Sequence, residues 1–135
     1  MASEEKILRI PYRSLAGRLS PLIAVQVFHG QAQLIDHAYV DSGAFYSVFD
    51  MQIAERLGLD FQRGKRGEIV SLEGRRMPLF LFPVGLRVGD LRINAEIGFS
   101  PNLRIGFNIL GRYSIFNQLE FCFNDRENEL TISPI

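Results

Sequence analysis

The residues best placed to do chemistry are Asp41, Ser42, Gly43 and Ala44, which follow directly on the apolar run Ala38-Tyr39-Val40. A carboxylate activates water only when its proton affinity suits the working pH and its position is fixed. An apolar strand would supply a rigid approach, Ser42 a hydroxyl to pin the loop, and Gly43 a positive φ or a close backbone approach. Loop amides and the hydroxyl favour the ionised carboxylate, whereas a second carboxylate nearby holds one proton on the pair. Asp, Ser and Gly are also good residues for a plain β-turn. The stretch by itself leaves both readings open.

Other chemistry-bearing residues are sparse. His29 and His37 are the only histidines, and Asp36 adjoins His37 on an expected strand. Strand neighbours face opposite ways, so these two cannot easily chelate together, and no metal or other cofactor is expected. Arg63-Gly64-Lys65-Arg66-Gly67, with Arg75 and Arg76, is a basic cluster. It reads as solvated loops, with a steering patch for acidic peptide segments as the functional alternative. No aromatic platform is interleaved with these charges, which argues against nucleic acid. The lone Cys122 cannot form an intrachain disulfide, and in Phe121-Cys122-Phe123 it reads as a small buried hydrophobe.

Composition is that of an ordinary globular protein. The 135 residues are 47% apolar and 22% charged, with 15 basic and 15 acidic side chains. A formal charge of zero provides no global field for nucleic acid or an anionic membrane. No apolar run reaches the ~18 residues of a membrane span, and the acidic start Met-Ala-Ser-Glu-Glu-Lys does not read as a signal peptide. A cytoplasmic protein is the expectation.

The elements that must position Asp41 are mostly strands, given the 11 Phe and the recurring turn signals. Residues 6–10 read as a strand stopped by Pro11. Residues 22–28 and 33–40 form a hairpin around His29-Gly30-Gln31, and its second strand delivers Asp41. The best helix is 50–58, capped by Asp50 and ended by Gly58. A hairpin with its tip at Glu73-Gly74 follows, Pro83 marks an edge or bulge, and Val88-Gly89-Asp90-Leu91 is a tight turn between 84–88 and 91–98. A second short helix is expected at 112–118, then a closing hairpin of 119–123 and 129–133.

Val40-Asp41-Ser42-Gly43-Ala44 resembles the Asp-Ser/Thr-Gly-Ala signature of aspartic proteases. Asn108-Ile109-Leu110-Gly111-Arg112, far downstream, resembles the hydrophobic-hydrophobic-Gly-Arg segment of retroviral-type proteases, which likewise precedes a short helix and a closing strand. From roughly residue 20 to 134 the chain is similar to the retropepsin-like, single-domain aspartic proteases.

The resemblance implies a mostly β acid-protease barrel with one or two short helices, spanning 21–135 after an N-terminal arm and first strand in 1–20. It implies an aspartic endopeptidase acting on a peptide or protein substrate, with Asp41 catalytic and Ser42, Gly43 and Ala44 completing the active-site loop. Leu72, Glu73 and Gly74 take the place of the substrate-covering flap, and Ile109 and Leu110 support or line the site. This chain carries one Asp-Ser-Gly motif where the chemistry needs two facing aspartates, so activity requires a homodimer.

Three departures stand out. The tip Ser71-Leu72-Glu73-Gly74-Arg75-Arg76 is poor in glycine for a flap. Phe45 occupies the position where retroviral enzymes often carry an acidic partner for the downstream arginine, which leaves Arg112 without an obvious partner. The extra terminal residues also free the dimer contacts from the retroviral pattern. A different class of function, a non-catalytic protease-like domain that binds extended peptides or mediates assembly, fits the same motifs.

Overall fold

The computed structural model describes residues 6–101, 103 and 105–135. The fold is mostly β. In chain order the strands are β1 (Leu8–Pro11), β2 (Arg13–Leu15), β3 (Arg18–Ser20), β4 (Leu22–His29), β5 (Ala32–Val40) and β6 (Val48–Asp50). Helix α1 (Met51–Arg56) and a 3-10 turn at Phe61–Arg63 follow. The remaining strands are β7 (Lys65–Val70), β8 (Arg76–Val88), β9 (Leu91–Ser100), β10 (Asn108–Leu110), β11 (Leu119–Asn124) and β12 (Glu129–Pro134).

The principal sheet has the order β4-β5-β10-β6-β9-β8-β7, and an additional pairing of β4 with β8 closes it on itself. Closure leaves few unpaired edges and encloses a core in which Val25, Val27, Ala38, Phe49, Ile97 and Phe99 are fully buried. Truncating such a Phe costs about 3–5 kcal/mol. A separate sheet, β1-β12-β11, holds β12 between two strands of its own chain.

Local chemistry explains most boundaries. The β4–β5 hairpin turns where Gly30 takes φ +58. Asp50 caps α1 by accepting from the Gln52 N–H at 2.8 Å, worth about 1 kcal/mol. The helix buries Ile53 and Ala54 and ends at Gly58, φ +75. Pro83 lies in β8 between the segment paired with β7, which stops at Leu81, and that paired with β4, which starts at Gly85. A residue without an N–H is tolerated where one strand edge has no neighbour.

Two local expectations are corrected and one further hairpin is added. Residues 112–118 are a series of turns rather than a helix, because Ser114 takes φ +69 and interrupts the right-handed path. Cys122 is exposed: alternation along β11 puts it, with Thr131 and Arg9 beside it, on the outer face. Segment 13–20 forms an unanticipated hairpin, β2–β3, turning at Ala16 and Gly17, both with positive φ.

Tyr12, buried beside the β1-β12-β11 sheet, donates its hydroxyl to Asp125 Oδ1 at 2.8 Å. Burial first, and the Asp125 carboxylate second, push its phenol up to about 12. Among the described residues no helix is long and apolar enough to cross a membrane.

Candidate active site

Strand β5 carries Asp41 at its exit and runs parallel to β10, with Tyr39 opposite Ile109 and Val40 opposite Leu110. The ladder continues one step further, because the Asp41 N–H donates to the Leu110 carbonyl at 3.0 Å. The chain then folds over Asp41. The Gly43 N–H donates to Asp41 Oδ1 at 2.8 Å, and the Ala44 N–H to the Asp41 carbonyl at 3.2 Å. Asp41 is half-buried, and Ser42 and Gly43 are exposed beside it.

Behind this turn, segments 41–47 and 108–113 are interlocked. The Arg112 N–H donates to the Ala44 carbonyl at 3.0 Å and the Tyr113 N–H to the Phe45 carbonyl at 2.7 Å. The Gly111 N–H donates to the buried Ser47 Oγ at 2.9 Å, while the Ser47 carbonyl accepts from the Gly98 N–H at 3.0 Å. A Cβ on Gly111 would collide with the Tyr46 carbonyl and lie 2.9 Å from the Ala44 oxygen, so only glycine permits this approach. Asn108, 2% exposed, donates to the His37 carbonyl and accepts from the Asp50 N–H, both at 2.9 Å. One amide thus ties β5 to the start of α1.

Phe45 packs against Tyr46 and Tyr113, with ring centroids 4.8 and 5.3 Å away. Where an acid would serve a guanidinium, this chain has an aromatic cluster. Arg112 is exposed and pairs with no carboxylate among the described residues.

The hairpin β7–β8 closes over the loop. A cavity of about 370 Å³ lies between them, lined by Gly43, Ala44, Phe45, Ile69, Met77 and Ile109 among others. That is a size suited to part of an extended ligand. Leu110 instead points into the core at 2% exposure. The hairpin tip stands clear of the cavity lining, with Leu72 fully exposed and Glu73 and Gly74 exposed beside it. Ser71 organises the tip: its N–H donates to the Arg75 carbonyl at 2.9 Å, its Oγ accepts from the Arg75 N–H at 3.1 Å, and its carbonyl accepts from the Gly74 N–H at 2.9 Å. Gly74 takes φ +80. A serine-pinned turn therefore forms the glycine-poor tip.

The histidines lie apart from this site: the Arg13 guanidinium donates to His37 Nε2 at 2.6 Å, and His29 Nδ1 faces the Leu57 carbonyl at 3.3 Å. Sequence reasoning assigned no role to Ser47 or Asn108. An isolated serine or asparagine resembles any turn residue until its burial is known, and in these two burial is what makes the hydrogen bonds matter.

No protein-family model and no curated protein sequence matches this chain. Among solved structures it is similar to a retropepsin-like aspartic protease from Rickettsia conorii, with TM-score 0.67 and 15% identity over 99% of this chain and 97% of that one. It is also similar to EIAV protease complexed with the inhibitor HBY-793, with TM-score 0.55 and 21% identity over 78% of this chain and 92% of that one. With most of each chain superimposed at such low identity, the likeness lies in the backbone path, and the chain has the retropepsin-like fold.

Proposed function

We propose that this protein is a cytoplasmic, homodimeric aspartic endopeptidase in which Asp41 of each subunit meets its counterpart across a twofold axis. The observation that carries the reading is Asp41 itself, half-buried on a loop interlocked with β10 and beside the cavity under the β7–β8 hairpin. A twofold interface sets like residues opposite one another, so one motif per chain suffices. Two carboxylates ~3 Å apart share a proton and titrate as a unit, as in other aspartic proteases.

In the proposed reaction the ionised aspartate takes a proton from water as the water oxygen bonds to the scissile carbonyl carbon. The protonated partner donates to the carbonyl oxygen. Collapse of the tetrahedral intermediate returns one hydroxyl proton to the now ionised partner and breaks the C–N bond, while the departing nitrogen takes the proton held by the first aspartate. Ser42, exposed at the loop surface, would bond across the dimer beneath the aspartates. Gly43 would lie along the substrate backbone and Ala44 would keep the adjoining subsite open. Ile109 would line the floor with Leu110 supporting it, and Leu72, Glu73 and Gly74 would cover the substrate from above. The substrate is an extended peptide held by strand-like backbone bonds.

The test is cleavage of a diverse peptide library from acidic to neutral pH. Wild type and Asp41→Asn are compared at concentrations high enough for dimers. Cuts made by wild type and absent from the variant are expected. Identical patterns would trace the cutting to a contaminant. No cutting by a folded dimer would shift the reading to a peptide-binding or assembly module.

A further inference from the structure

Charge is unevenly placed around the candidate site. Residues 63–76 hold five cations, Arg63, Lys65, Arg66, Arg75 and Arg76, against two carboxylates, Glu68 and Glu73. That leaves +3 on the hairpin in a chain of zero net charge, and so −3 on the remainder. Glu68 is occupied by Arg76 at 3.4 Å, and Arg63 reaches Asp60 at 4.0 Å. Lys65, Arg66 and Arg75 pair with no carboxylate among the described residues.

These cations also have a definite position. The Arg66 guanidinium lies 5.6 Å from the centre of the Phe80 ring, which orients it. With Glu68, Arg76 and Pro78 it lines a concavity of about 500 Å³. Glu68 lines both this concavity and the cavity beside Asp41, so the two adjoin. Alternation along β7 sets Arg66 and Glu68 on the face opposite Ile69, so a strand added at the β7 edge would turn alternate side chains toward the cavity face and toward the Arg66 face. β7 is an edge strand, and charges protect edges from pairing. Protection works with charges of either sign, whereas this excess has one sign.

We infer that the hairpin selects its ligand by charge: an extended polypeptide whose apolar side chain enters the cavity beside Asp41 and whose acidic side chains, a few positions along, meet Lys65, Arg66 and Arg75. As a statement about substrate it rests on the peptidase reading above. As a statement about binding it stands separately.

The experiment is fluorescence anisotropy on the full chain carrying Asp41→Asn, which binds without turnover. Two labelled peptides share an apolar centre, one flanked by Asp and Glu and the other by Asn and Gln. The acidic peptide is expected to bind roughly tenfold tighter at about 20 mM salt, with the ratio approaching one at about 0.5 M. Lys65→Gln/Arg66→Gln/Arg75→Gln should also bring the ratio near one at low salt. Arg75→Gln alone, a single change at an exposed tip, should give an intermediate ratio. Equal binding of the two peptides, or a ratio that survives the triple substitution, would overturn the inference. Acidic preference in binding without any cleavage supports charge selection and sinks the peptidase reading. Cleavage with no acidic bias does the reverse.

Discussion

Two regions contribute to the candidate site, and they are held in opposite ways. The loop 41–47 is locked by groups distant in sequence: Leu110, Gly111, Arg112 and Tyr113 all supply backbone partners, and Ser47 is buried beneath it. The tip at 71–75 is held by bonds within five residues, with Leu72 wholly in solvent. Distant contacts exist only in the folded chain, so the loop has the rigidity of the core. Local contacts open and reform singly, so the tip can move while the rest stays folded. That division suits the proposed reading, in which the acid stays fixed while the hairpin admits an extended peptide.

The comparison can be broken at either end. The largest effect expected is Asp41→Asn, which should reduce peptide cleavage about 10³-fold or more while leaving the thermal midpoint nearly unchanged. A large loss of stability would show that Asp41 holds the loop rather than acting on substrate. Gly111→Ala comes next. Its methyl group meets the Tyr46 and Ala44 carbonyls, so urea unfolding should show a loss of about 3 kcal/mol. Asn108→Ala strands the His37 carbonyl and the Asp50 N–H, and about 2 kcal/mol should be lost in the same measurement.

Tyr12→Phe probes the terminal sheet. The phenol is pushed up to about 12 when folded, against 10.0 ordinarily, so folding favours its protonated form. Its contribution, about 1 kcal/mol for the bond to Asp125, should be complete below pH 10 and vanish as pH rises to about 12. Wild type and Tyr12→Phe should therefore converge in stability at the alkaline end. The smallest effect on stability is expected at the tip. Ser71→Ala and Leu72→Ala should each change unfolding by no more than ~0.5 kcal/mol, and any effect of theirs should appear as faster amide exchange confined to 70–76. A cooperative loss across β5 and β10 would remove the distinction between the two regions.

Local signals were legible wherever one residue decides its own backbone. Asp50 caps α1, Gly58 ends it, and Gly30 turns the hairpin that leads to Asp41. The failures share a cause. Residues 112–118 have an apolar pattern that suits a helix, yet the backbone bonds of Arg112 and Tyr113 to Ala44 and Phe45 fix the entry, and Ser114 turns left-handed. Cys122 lies between two phenylalanines, but a strand alternates, and its face is decided by the sheet it joins.

The sequence by itself determined a mostly β chain, its main turns, and the motif residues that mark the retropepsin-like fold, because these depend on propensity, turn chemistry and spacing along the chain. Only the tertiary structure decided that Gly111 must be glycine, that Ser47 and Asn108 are buried ties, and that Phe45 packs with Tyr46 and Tyr113. It also decided that β4 meets β8 to close the sheet and that β12 is flanked by its own chain. Each of these is a contact between segments far apart in sequence, whose energy depends on burial and on the approach of particular atoms. Neither exists until the chain has folded.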